Sequence, residues 1–149
     1  MRRTAHLRPL SREHHAALRL ASHLGQANSP EALETAVAEA FALKPELLAH
    51  FRFEETELIP ELERFGEGAL VAQLRADHEV LIDFLASAPR MKRHAASFAQ
   101  LLNEHVRFEE RVLFPALEAH WDRNGLPPAW PQHAAGKDQD ADMGAEDGR

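Results

Sequence analysis

Two stretches of this sequence, 55 residues apart, repeat one pattern of histidine and carboxylate. His50 to Glu63 reads HFRFEETELIPELE and His105 to Glu118 reads HVRFEERVLFPALE, identical at nine of fourteen positions. A weaker pair precedes each: Glu13-His14 matches Asp77-His78, each histidine followed four residues later by an aliphatic, Leu18 or Ile82. The order is therefore His, His-x-x-x-Glu, His, His-x-x-x-Glu, which reads as an internal duplication. Imidazole nitrogen and carboxylate oxygen together suit iron, manganese or zinc, and two carboxylates shared between facing helices suit a dinuclear centre.

Helical geometry turns the spacing into a site. At 100° per residue, His50 and Glu54 lie about 40° apart, on a face of roughly 120° that also carries Leu47, Phe51, Leu58, Leu62 and Phe65. His105 and Glu109 share a face with Phe98, Leu102, Leu113 and Leu117. His78 lies in line with Val71, Leu74, Leu81, Ile82 and Leu85, and His14 sits among Leu10, Ala17, Leu18 and Ala21. A single histidine on an apolar face usually reads as a hydrogen-bonded core residue. Four of them, two paired with inward glutamates, read as metal ligands.

Burying two carboxylates costs several kcal/mol each unless they are paired or coordinate a metal. No lysine or arginine shares those faces, since Arg52 and Arg107 project from nearly the opposite side, so a cation has to come from outside the chain. Pairing His14 with His50 on one ion and His78 with His105 on the other, bridged by Glu54 and Glu109, uses each candidate once. His15 points about 100° away from His14 and replaces it if the helix is rotated. Glu55 and Glu110 face solvent or orient ligands from outside. His6, His23, His94, His120 and His133 are expected at the surface. Phe51, Phe53, Phe108 and Phe114 are expected to pack, and as aromatic walls they would also exclude water from the metals. Pro60 and Pro115 free the carbonyls of Thr56 and Arg111 and should bend the helices near their ends.

The elements that must position these residues are all helical: Ala, Leu, Glu and Arg dominate at helical spacing, with almost no alternating β-branched runs. The first helix is expected from Ser11, as N-cap, to Leu24, with Gly25 as its stop. Asn28-Ser29-Pro30-Glu31 begins a second, reaching about Phe65 and kinked or divided by Pro45 near Leu43. The third runs from about Ala69 to Ser87 after Gly66 and Gly68, and Pro89 marks the turn before a fourth that ends near Trp121. Residues 1–125 form this bundle, and 126–149, rich in proline and acid, are expected to be a disordered tail.

The chain has 149 residues, 17 Lys plus Arg against 24 Asp plus Glu for a net charge of −7, ten His and no Cys. That is one domain with no basic patch for nucleic acid. The missing cysteines exclude disulfides, thiolate zinc and iron–sulfur sites. With no signal-peptide core and no run of 18 apolar residues, the expectation is a soluble cytoplasmic protein without membrane contact.

The two His-x-x-x-Glu-Glu…Leu-x-Pro segments, together with Arg-Glu-His14 and Asp-His78-Glu, resemble the hemerythrin-like (HHE cation-binding) family over about residues 9 to 121. The resemblance implies an antiparallel up-down four-helix bundle with a non-haem di-iron centre, ligated by His14, His50, Glu54, His78, His105 and Glu109. Oxygen-carrying members place another histidine one turn after the third-helix histidine, where this sequence has Ile82. Its loss leaves an open position and favours sensing or scavenging of oxygen, nitric oxide or peroxide, or iron handling, over reversible oxygen carriage. Members that repair iron centres usually carry an N-terminal cysteine segment, which has no counterpart here. An oxidase or peroxidase using the same ions, and a zinc-holding structural bundle, are the rival readings. Nothing in the sequence indicates an oligomeric state.

Overall fold

The computed structural model describes residues 3–131, and among these the chain is helical with no strand. Helix α1 spans Arg8–Gln26, with Pro9 in its first turn, where a missing N–H is harmless. Its N-cap is Leu7, without a side-chain cap, because Ser11 is already inside the helix and its hydroxyl is used elsewhere. Gly25 also lies within α1, against Ala99, and the helix ends at Gln26 with Ala27 as its C-cap.

Helix α2 (Pro30–Phe53) starts as its sequence requires: the Ser29 side chain accepts from the Ala32 N–H at 3.0 Å, and Glu31 sits in the first turn. Pro45 lies inside α2 without dividing it. What interrupts the segment comes later. Residues Glu54–Leu58 form a π-turn before α3 (Ile59–Arg64), with the Ile59 N–H bonded to the Glu54 carbonyl five residues back. Gly66, at φ 76°, reverses the chain after α3, a conformation that a side chain would strain.

Helix α4 (Gly68–Phe84) follows, three residues shorter at its end than the sequence suggested. Pro89 lies in the first turn of a short helix α5 (Ala88–Arg93), capped by Ser87, instead of a plain turn. Helix α6 (Ala95–Phe108) then leads through a second π-turn, Glu109–Leu113, into α7 (Phe114–Asn124). The two π-turns occupy equivalent places in the repeat, each beginning at the glutamate and ending two residues before the proline. Here the proline ring displaces the α-helical carbonyl at i−4, and the backbone widens instead of simply bending.

Helix α1 packs mainly on α6 and α2, and α4 on α6 and α3. The core has two parts. One contains Ala17, Leu20, Leu47, Phe51, Leu81, Phe98, Leu102 and Val106; the other contains Leu10, Leu58, Leu62, Leu74, Leu113, Phe114 and Leu117. On each long helical segment the candidate ligands fall between residues of the two parts, so a polar layer separates them.

Two aliphatics expected in the core are not there. Leu18 and Ile82 are 39% and 40% exposed, because Ala17 and Leu81, one residue earlier, take the inward position. The tail expected from residue 126 begins packed: Trp130 meets His6, Trp121 and Phe53 edge-on at 5.0–5.9 Å. The rest of that expected tail, residues 132–149 with His133, lies outside the described residues. No described helix is long and apolar enough to cross a membrane.

Candidate metal centre

Six side chains, His14, His50, Glu54, His78, His105 and Glu109, are buried together at the polar layer. They form two groups that share both carboxylates: His14, His50, Glu54 and Glu109, and His78, His105, Glu54 and Glu109. Glu54 sends Oε2 to within 2.8 Å of His50 Nε2 and Oε1 to within 2.9 Å of His78 Nε2. Glu109 sends Oε1 to within 2.7 Å of His14 Nε2 and 3.6 Å of His50 Nε2, and Oε2 to within 2.9 Å of His105 Nε2. Each carboxylate therefore offers one oxygen to each histidine pair.

The other ring nitrogen of every histidine is held from outside by a carboxylate. His14 Nδ1 is 2.6 Å from Glu110, His50 Nδ1 2.7 Å from Glu13, His78 Nδ1 2.7 Å from Glu55 and His105 Nδ1 2.9 Å from Asp77. These partners obey the repeat: Glu13 and Asp77 each precede a histidine, while Glu55 and Glu110 each follow an inward glutamate. A residue adjacent to a ligand is rotated about 100° around the helix, so it serves a histidine on the neighbouring helix. The sequence reading reached Glu55 and Glu110 as possible orienting groups but missed Glu13 and Asp77. The signal available was the acid placed before both single-helix histidines.

This arrangement fits a cation. A neutral imidazole that donates Nδ1–H outward presents a lone pair at Nε2, and all four lone pairs face carboxylate oxygens, acceptor against acceptor. Glu54 Oε2, Glu109 Oε2 and His105 Nε2 are buried and form no hydrogen bond among the described residues, despite separations of 2.8–2.9 Å. Two ligand atoms each about 2.1 Å from one ion, at a right angle, would be about 3 Å apart.

Without a cation, protons take its place. Burial pulls the histidine pKa values down, yet the surrounding carboxylates outweigh it: His14 and His50 are raised, His78 to about 9 by Glu109 and Glu54, and His105 to about 10 by Glu109 and Asp77. Burial pushes Glu109 up, but His105 and the other imidazoles hold it well below the usual carboxylate range. Glu110, likewise opposed by burial, falls to about 2 beside His14, Ser11 and Arg3.

The hemerythrin HHE cation-binding domain model matches residues 6–117, a span that includes all six side chains and their four outer carboxylates. The chain belongs to this family. No curated protein and no solved structure matches it in the corresponding searches. Hemerythrin-family membership and the His/Glu cluster together make this a cation-binding domain.

His15 is exposed while its neighbour His14 is in the cluster. Ile82, where the sequence located the missing fifth histidine, is on the outward side of α4, so a side chain there points away from the centre. His23 and His94 are exposed as expected. His6 and His120 are not simple surface residues: His6 donates to the Pro127 carbonyl at 3.1 Å, and His120 stacks on Phe65 and bonds Glu67 at 2.8 Å. Phe51 stacks on His78 with ring centroids 4.4 Å apart, and Phe114 on His14 at 5.7 Å.

A cavity of about 200 Å³ reaches the centre between α1, α2 and α6. Buried His14, His50 and His105 lie at its inner end, Ala17, Leu47, Phe51, Leu102 and Val106 line it, and exposed His15, Arg19 and Glu46 lie at its mouth. A second depression, lined by Asp77, Gln73, Leu101 and Glu104, meets His105 from the side of α4 and α6.

Proposed function

We propose that this protein is a non-haem di-iron protein that binds or senses a small ligand, namely oxygen, nitric oxide or hydrogen peroxide, or takes part in iron handling. In this reading His14 and His50 hold one ion, His78 and His105 the other, and Glu54 and Glu109 bridge them. The observation that carries it is the split of each glutamate, one oxygen to each histidine pair. The order in which the two core parts recur along α1, α2, α4 and α6 supports an up-down four-helix arrangement with a two-fold repeat.

Bound iron would supply a redox-active Lewis acid able to take a small ligand. The chain's own residues do the rest. Outer carboxylates fix each imidazole so that Nε2 points inward. Phe51 and Phe114 stack against the rings and limit water. The cavity beside His14, His50 and His105 provides a path for a small, weakly polar molecule.

The test is elemental analysis of purified protein with its visible spectrum before and after dithionite. About two irons per chain and a charge-transfer band that bleaches on reduction are expected. Stoichiometric zinc and no redox response would overturn the iron assignment. The size of the cavity favours a second reading, an oxidase or peroxidase acting on a small organic reductant, since a void of about 150 Å³ already accepts benzene. Turnover with peroxide or oxygen plus a reductant distinguishes it from ligand binding alone.

A further inference from the structure

Arg3 grips one half of the centre, and among the described residues the equivalent positions of the other half have no such grip. Its Nη1 donates to Glu118 Oε1 at 2.6 Å, and its Nη2 donates to Glu110 Oε1 at 3.0 Å and to the Glu110 carbonyl at 3.1 Å. That carbonyl is available for a specific reason. In the second π-turn the Phe114 N–H bonds the Glu109 carbonyl, so the next partner, for Glu110, would be the N–H that Pro115 lacks.

Glu110 in turn accepts from His14 Nδ1 at 2.6 Å and from the Ser11 hydroxyl at 2.7 Å, both on Oε2. The Arg3 guanidinium also sits 5.4 Å from the Phe114 ring, whose other neighbour is His14, nearly parallel at 10°. The Thr4 N–H completes the attachment by donating to Glu118 Oε2 at 2.8 Å.

In the other half Glu55 replaces Glu110, Glu63 replaces Glu118 and Ile59 replaces Phe114. The Glu55 side chain is 40% exposed and, among the described residues, pairs with His78 alone; Glu63 is exposed. Residues 3, 4 and 118 also lie outside the span matched by the family model.

We infer that Arg3 is a positioning residue for the ion held by His14 and His50, acting through Glu110, and that it makes the two ion positions unequal in affinity, with this one the tighter. The inference rests on the metal-binding reading above. A guanidinium fork fixes the plane of the carboxylate it grips, and that carboxylate fixes the tautomer and rotation of the imidazole. Loss of such an outer partner typically weakens a metal site by about 10–100-fold.

The test is anaerobic titration of metal-free full-length protein with iron(II) against a competing chelator. Wild type should take up two ions with distinct constants. Arg3→Ala should weaken the tighter one by about tenfold and leave the other unchanged. In a Glu110→Gln background, Arg3→Ala should add no further loss, whereas a general loss of packing would still lower affinity there. Equal weakening of both constants, no change in either, or an undiminished effect of Arg3→Ala in Glu110→Gln would overturn the inference. Uptake of no metal by wild type would instead overturn the metal-binding reading, and the role of Arg3 with it.

Discussion

Glu13 Oε1 lies 2.7 Å from Nδ1 of His50, although 37 residues separate them in sequence. The contact holds the ring N–H proton of a candidate ligand on its outer nitrogen and leaves the inner one free to coordinate. Glu13→Ala should therefore weaken metal binding by about 10–100-fold with little change in helix content, and Asp77→Ala should do the same through His105. Chelator competition on each variant measures this; undiminished affinity in both would remove the outer carboxylates from the account.

Glu54→Ala or Glu109→Ala should lose most of the metal, because each carboxylate serves both histidine pairs. His15→Ala should keep it, since His15 is exposed beside the buried His14. Metal content after dialysis reads the difference. If His15→Ala strips the protein and His14→Ala does not, the ligand on α1 is misassigned.

Ala17, three residues after His14, stands where the repeat puts Leu81, three after His78, and it lines the cavity. Ala17→Leu should fill that space. We expect azide affinity to fall by about tenfold, or ~1.4 kcal/mol, with metal content unchanged. Unaltered azide binding would direct entry to the depression beside Asp77 instead.

The raised histidine pKa values give a signed pH dependence. In metal-free protein the imidazolium–carboxylate pairs stabilise the fold below the unfolded pKa of about 6.5, and that contribution is lost as pH rises through about 9 for His78 and about 10 for His105. Metal must displace those protons, so uptake at pH 7 should release protons and apparent affinity should rise with pH. Calorimetry in buffers of different ionisation enthalpy counts the protons. A result of none would mean that the histidines are already neutral.

Pro60 and Pro115 follow the π-turns Glu54–Leu58 and Glu109–Leu113, in the first turns of α3 and α7. Replacing both by alanine restores two N–H groups and favours regular helix, so thermal stability should hold or rise while metal affinity falls by an order of magnitude. A loss of stability with metal affinity retained would show that the prolines serve folding and not the geometry of the centre.

The sequence by itself determined the all-helical class, the inward faces and the six residues gathered at the polar layer. Those follow from local periodicity: a residue four positions on lies about 40° away, so His50 and Glu54 share a face whatever surrounds them. The start of α2 at Ser29-Pro30 is equally local, because the cap bonds an N–H three residues ahead.

Tertiary structure alone decided what depends on how helices rotate against each other. Helix packing left Leu18 and Ile82 outside while Ala17 and Leu81, expected inward with them, are buried, a choice that apolar spacing does not resolve when two adjacent positions are both aliphatic. The partners of the outer ring nitrogens cross between helices: Glu13 reaches His50 and Glu110 reaches His14. The same holds for the π-turns and the clamp from Arg3. A proline announces only that an α-helical bond is missing, and whether the backbone bends or widens, and which distant side chain takes the freed carbonyl, depends on the packing around it.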